Sequence, residues 1–209
     1  MEEESRELLA KYIPAQAVSG VLELIFEHKN LKLIIKNSRR TKLGDYRKLN
    51  RFQHQITVNH DLNPYQFLIT LLHEIAHFLT YKEYGRKVKP HGVEWKSVFG
   101  KLLQDYIKPD IFPEELIPDL LQYAQNPKAS TAGDGVLYIR LAGYNKNKHP
   151  NKKFVFELEK GMVFALDNGQ VFKLLEKKRT RYKCKNVDNK KIYLIHQNAE
   201  VFISSETDN

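Results

Sequence analysis

The sequence predicts an α+β protein in two parts: a mixed helix–strand segment built around one long helix, then a small antiparallel β-barrel-like domain. Three observations carry this. Apolar residues recur at helical spacing from Phe67 to Leu79, directly after Asn63-Pro64. The apolar period changes to two beyond residue 135. Asn168-Gly169 lies between two such stretches, as a tight hairpin turn requires.

Taken in order, Glu7 to His28 reads as an amphipathic helix interrupted by Pro14, with Leu8, Leu9, Tyr12, Val18, Val21, Leu22 and Ile25 at helical spacing. Leu31–Lys36 and Gln55–Asn59 read as strands, and Asn37–Leu49 as a turn with a returning segment. Asn63 is a good N-cap and Pro64 suits the first helical position, while Gly85 stops the helix after Tyr84. Helices follow near 93–106 and 113–124. Asn126 to Gly135 (NPKASTAGDG) reads as a linker. Strands are expected at 136–141, 153–158, 162–166, 170–175, 179–185, 191–195 and 200–203, enough for a small barrel. The domains are therefore expected at 1–125 and 136–209, joined by the linker 126–135.

Composition narrows the classes. The apolar fraction of 42% with 28% charged residues is that of a globular chain. Met1 to Glu7 holds four acids and one arginine, unlike a signal peptide, and the apolar run at 67–79 is too short for a bilayer. The expectation is a cytoplasmic protein with no membrane partner. A single cysteine, Cys184, excludes an internal disulfide and a cysteine-rich zinc site. The formal charge of +9 is uneven: residues 131–209 hold fifteen Lys/Arg against nine Asp/Glu. Such a surplus suits a polyanionic partner, or simply a charged surface.

The chemistry centres on His73-Glu74-Ile75-Ala76-His77, an H-E-x-x-H motif. Residues four apart lie one turn apart on one helix face, so both imidazoles can reach one ion. Glu74 adjoins them and can take a proton from water that zinc makes acidic. The flanks LITLL and FLT are apolar, and buried polar groups without partners are costly, so these three residues need a shared purpose. Catalytic zinc takes three protein ligands. His91, between Pro90 and Gly92, is the expected third, with Glu94 its rival.

The stretch HEIAHFLTYKEYGRKVKPHGVEWKSVF (73–99), with RRTKLGDYR (39–47) and ITVNHDLNPYQFLITLLHE (56–74), resembles the SprT-like domain family, which includes bacterial SprT and, more distantly, the eukaryotic protease Spartan. The resemblance covers roughly residues 8–125. It implies a zincin-like metallopeptidase core, one zinc ion on His73, His77 and His91, and Glu74 as general base. It also implies action on DNA-associated proteins, as in the removal of proteins crosslinked to DNA. Family members often end in a zinc ribbon with two C-x-x-C pairs; here only Cys184, in Arg-Tyr-Lys-Cys (181–184), stands where a degenerate ribbon would be.

The expected function is thus zinc-dependent hydrolysis of peptide bonds, with Glu74 assisting the attack of water. The alternative is a non-catalytic DNA-binding protein with a structural zinc site. Tyr81, Tyr84 and Arg86 are the candidates to stabilise the oxyanion, and the sequence does not choose among them. For nucleic acid, Arg179, Arg181, Lys183 and Lys185 are expected on one face of a strand, spaced about 7 Å apart, near the spacing of phosphates. The rival reading is an edge strand kept soluble by charge. A second basic group, Arg39, Arg40, Lys42, Arg47, Lys48 and Arg51, precedes the H-E-x-x-H helix and is expected either to border the cleft and grip nucleic acid or an acidic substrate, or to be a solvated loop.

Overall fold

The computed structural model describes residues 2–39, 42–129, 135–145 and 151–203. It is α+β, and it divides into two compact units, Met1–Lys146 and Asn147–Asn209. Among the described residues no helix is long and apolar enough to cross a membrane.

The first unit runs α1 (Glu2–Leu9), α2 (Val18–Phe26), β1 (Leu31–Lys36), β2 (Gly44–Lys48), β3 (His54–Asn59), α3 (Pro64–Tyr84), α4 (Val93–Tyr106), α5 (Ile117–Gln125) and α6 (Gly135–Ala142). Pro14 splits the first helical stretch: it precedes a short 3-10 turn, Ala15–Ala17, that leads into α2. β3 lies between its neighbours, parallel to β1 and antiparallel to β2. β3 is buried at five of six positions, as the middle strand of three should be. Phe67, Leu68, Leu71, Leu72, Ile75 and Phe78 of α3 pack with Trp95, Phe99 and Leu103 of α4 in one core.

The start of α3 is tied down by Asn63. Its side-chain oxygen accepts the backbone N–H of Gln66 at 3.0 Å, while its amide nitrogen donates to the Leu141 carbonyl and the Asn145 side chain, both at 2.8 Å. Pro64 follows at the first helical position, where its missing N–H costs nothing. At the other end Gly85, at φ 68°, ends the helix, and its N–H bonds the Tyr81 carbonyl.

Residues 136–141, expected as a strand, form helix α6. The apolar period of two read beyond residue 135 predicts a strand there, but Leu137 and Leu141, one turn apart, are the positions that bury. The helix belongs to the first unit: Leu137 and Leu141 join its core and Arg140 pairs with Asp119 at 2.8 Å. The division into units therefore falls at 146/147, beyond the linker expected at 126–135, of which residues 130–134 lie outside the described residues.

The second unit holds β4 (Lys152–Phe154), β5 (Val163–Ala165), β6 (Val171–Lys178), β7 (Arg181–Asn186), β8 (Ile192–His196) and β9 (Glu200–Ile203). They form one antiparallel sheet in the order β4-β9-β5-β6-β7-β8. It is open, which corrects the expected barrel. Closure needs β4 to meet β8, but β4 is three residues long and runs straight into the 3-10 turn Val155–Glu157. The Asn168-Gly169 turn joins β5 to β6 as expected, with Gly169 at φ 79°. Phe164, Phe172, Leu174, Tyr182, Cys184 and Val201 form a separate core.

Asn63→Ala removes a helix cap and strands a buried carbonyl. It is expected to lower stability by about 2–3 kcal/mol, above the ~1 kcal/mol of an ordinary cap, in a chemical denaturation measurement. Asn63→Asp, which keeps the capping oxygen, should lose less.

Candidate metal centre

Helix α3 brings His73 and His77 one turn apart, and the segment after Gly85 doubles back to present His91. Their Nε2 atoms converge: 3.2 Å between His73 and His77, 3.1 Å between His73 and His91, 3.0 Å between His77 and His91. Among the described residues this is the group of side chains that could hold a metal ion; Glu94, the rival third ligand, is not part of it. His91 takes a left-handed φ of 58° between Pro90 and Gly92, a conformation that is uncommon for a side chain of its size. Gly92 leaves room for the bend, since a Cβ there would meet the Lys89 carbonyl at 2.9 Å.

Hydrogen bonding cannot account for three such contacts. In a neutral imidazole a given nitrogen either donates or accepts, so a triangle of three leaves at least one like-with-like pair. Charging the rings makes matters worse. Burial and the neighbouring imidazoles hold His73 down to about 2, the same causes hold His77 down to about 4, and burial lowers His91. Three neutral nitrogens aimed at one point suit a cation. Tetrahedral zinc with nitrogen ligands at 2.0–2.1 Å needs nitrogens about 3.3 Å apart, just wider than these. The donor set fits the ion.

Trp95 forms the inner wall. Fully buried, it packs its ring against His73 at 4.6 Å, His91 at 4.6 Å and His77 at 5.2 Å between centroids. Its Nε1–H has no protein partner among the described residues.

Glu74 sits in the same cavity of about 730 Å³, which is also lined by Lys42, Tyr46, Tyr81 and Arg86. Only 7% exposed, it lies against β2. A Cβ on Gly44 would come within 2.6 Å of Glu74 Oε1 and 2.8 Å of Thr70 Cγ2, so only glycine lets the strand pass this close. Burial, then Asp45, pushes the Glu74 carboxyl up to about 8, against a backbone N–H from Tyr46 and the charges of Arg39 and Lys42 that favour the ionised form. Positive charge at the three nitrogens would bring it back down, toward the ionised form that a general base needs.

The family model for the SprT-like family matches residues 16–111, a stretch that contains all three histidines and Glu74. Residues 16–111 belong to the SprT-like family. A curated relative, Protein SprT of Vibrio parahaemolyticus serotype O3:K6 (strain RIMD 2210633), is 54% identical over 43 residues, 18% of this chain and 26% of that protein. The match thus spans about a quarter of the relative's length. No solved structure matches the chain.

Outside the SprT-like stretch, the expected basic strand is largely in place. On β7, Arg181, Lys183 and Lys185 alternate with the inward-facing Tyr182, Cys184 and Asn186. Arg179 does not join them, which corrects its expected place. It lies in the two-residue turn between β6 and β7 at φ 53°, because such a turn needs a left-handed residue. Lys183 is paired with Glu176 at 2.8 Å. Most of the earlier basic group has partners within its own unit. Arg39 binds Asn59 at 2.7 Å and Thr57 at 2.9 Å, Lys42 and Arg47 both bind Asp45, and Lys48 donates to Tyr81. Arg40 lies outside the described residues. Sequence reasoning missed Tyr46 as part of the site's surroundings, and it named Lys48 without its partner Tyr81, because the contacts that bring β2 to α3 have no local sequence signature.

Each of His73→Ala, His77→Ala and His91→Ala is expected to weaken zinc binding by more than the ~10–100-fold typical of losing an outer partner of a metal ligand. Zinc at about 100 times its Kd should stabilise the unsubstituted protein by about 2.7 kcal/mol in a thermal shift, and the substituted proteins much less.

Proposed function

We propose that the SprT-like domain is a zinc-dependent metalloendopeptidase, with His73, His77 and His91 holding one zinc ion and Glu74 acting as general base. The observation that carries this reading is the convergence of three neutral imidazole nitrogens beside a buried carboxylate in one open cavity. It is the arrangement a zincin-like peptidase site requires. A purely structural zinc site has no use for a carboxylate outside the ligand set, which disfavours the non-catalytic alternative.

When bound, zinc polarises a carbonyl and makes water acidic enough to yield a proton near neutral pH. The chain supplies the rest. Glu74 orients the attacking water, takes its proton, and returns it to the departing amine. Trp95 keeps the three imidazoles from turning away. Gly44 and the Tyr46 N–H fix the carboxylate against β2, so that little reorganisation is needed when charge moves.

A link to nucleic acid is part of the proposal and rests on the second unit. Cross-strand register sets Lys173 opposite Lys185 and Lys178 opposite Arg181, with Glu176 opposite Lys183 between them. Like charges directly opposite are unfavourable, and a phosphate backbone would relieve them. Together with the peptidase reading, this favours DNA-associated proteins as substrates.

Glu74→Gln is expected to keep zinc and fold while cutting hydrolysis of an unstructured protein substrate by about 10²-fold or more, and full activity in a protease-free preparation would refute the mechanism. Replacing Arg181, Lys183 and Lys185 by Gln should flatten the dependence of log DNA affinity on log salt by about 0.7–0.9 for every phosphate no longer neutralised. An unchanged slope would leave the sheet face as a charged surface and nothing more.

A further inference from the structure

We infer that Tyr81 donates a hydrogen bond to the oxyanion formed when a peptide is hydrolysed at the His73–His77–His91 centre. The inference rests on the peptidase reading above and names which of the three candidate donors serves it.

Tyr81 continues the line of the ligands. His73, His77 and Tyr81 are spaced by four along α3, so they share one helix face over two turns. All three line the same cavity, with Glu74 and His91. The Tyr81 ring is held in place by a chain of contacts that leads back to His77. It lies 5.4 Å from the His54 ring, His54 Nδ1 is 2.8 Å from the Tyr46 hydroxyl, and Tyr46 stacks on His77 at 6.4 Å.

The hydrogen-bond inventory of the hydroxyl decides its role. Lys48 Nζ donates to Tyr81 Oη at 2.5 Å. An ammonium has no acceptor capacity, so the phenol proton cannot be directed to Lys48. Among the described residues no other group accepts it. A cavity-lining hydroxyl therefore has its acceptor side occupied and its proton unspent. Lys48, and behind it Arg86, also draw the phenol pKa below its ordinary value, which strengthens the hydroxyl as a donor.

The other candidates fit less well. Tyr84 is 39% exposed, does not line the cavity, and has its hydroxyl engaged with Glu83. Arg86 lines the cavity but is exposed, and both its charge and a hydrogen bond from its guanidinium are directed to Tyr81, whose acceptor side it shares with Lys48. The unpartnered N–H of Trp95 belongs to a fully buried ring packed against all three histidines.

In the step itself, the water oxygen bonds to the carbonyl carbon while the C=O π pair moves to oxygen, and Glu74 takes the proton released. Tyr81 donates to that oxygen without losing its own proton. When the C–N bond breaks, the pair on oxygen re-forms the carbonyl, and the amine leaves with the proton from Glu74.

The test compares Tyr81→Phe, which keeps the ring, with the unsubstituted protein and with Glu74→Gln, all loaded with zinc. Tyr81→Phe should lower kcat by about 10²–10³-fold, the usual cost of one oxyanion donor, with little change in KM, zinc content or circular dichroism. A second readout needs no turnover. A peptide carrying a tetrahedral phosphonate in place of the scissile amide should bind Tyr81→Phe about 10²-fold more weakly, while the matched cleavage product binds equally well. Lys48→Met, which leaves Tyr81 intact but unoriented, should show a smaller loss of the same kind, and Tyr84→Phe should show none. Unsubstituted kcat and phosphonate affinity in Tyr81→Phe would overturn the inference, as would a loss confined to KM or to zinc content. If Glu74→Gln is inactive while Tyr81→Phe is not, this inference alone fails. If Glu74→Gln is as active as the unsubstituted protein, the peptidase reading fails and takes the inference with it.

Discussion

Three imidazole nitrogens about 3 Å apart form an arrangement that hydrogen bonds cannot satisfy, and much of the first unit is organised to hold it. Burial of α3 suppresses the charged form of its two histidines. Trp95 packs against all three rings. The left-handed backbone at His91 is an uncommon conformation, maintained by a glycine on one side and a proline on the other. Each of these features is costly or unusual alone. Together they make sense as support for a site that receives a cation.

The carboxylate beside the centre depends on the sheet as much as on the helix. Among the described residues β2 is an outer strand paired with β3 alone, and its Gly44 lies against Glu74 at a distance no side chain would allow. One backbone N–H of that strand reaches the carboxylate, and Lys42 and Arg47 hold Asp45 close by. Burial does most to hold Glu74 in its neutral form, Asp45 and Tyr46 of the sheet adjust it in opposite directions, and α3 sets its position along the chain.

The parts of this protein that were legible in its sequence are those that rest on local rules. Asn63, Pro64 and Gly85 mark the ends of α3, and the four-residue spacing of His73 and His77 follows from the helical period. The alternation of Arg181, Lys183 and Lys185 with Tyr182 and Cys184 follows from the pleat. What was not legible depends on tertiary partners. Residues 136–141 carry strand-like residue types, yet Leu137 and Leu141 bury as a helix because a core and an Asp119 partner are there to receive them. Barrel closure depends on whether β4 reaches β8, which strand propensity does not encode. Arg179 left its expected face because of turn geometry, a two-residue matter within a run that otherwise read correctly. The pairing of Lys48 with Tyr81 links residues 33 positions apart, and nothing local announces it.

Helix α3 is a single rod about 31 Å long at 1.5 Å per residue, capped at one end and packed along most of its length. The backbone positions of His73, Glu74, His77 and Tyr81 are therefore fixed relative to one another by one helix. His91 alone among the proposed ligands is carried by a connecting segment, after Gly85 and before α4. Were an ion bound there, the adjustable coordinate would be this one loop, and the entropy of ordering it would count against binding. Substitutions between Gly85 and Gly92 would then act on the proposed third ligand while leaving α3 as it is. That gives this short stretch of chain the character of a dial, and α3 that of a fixed scale.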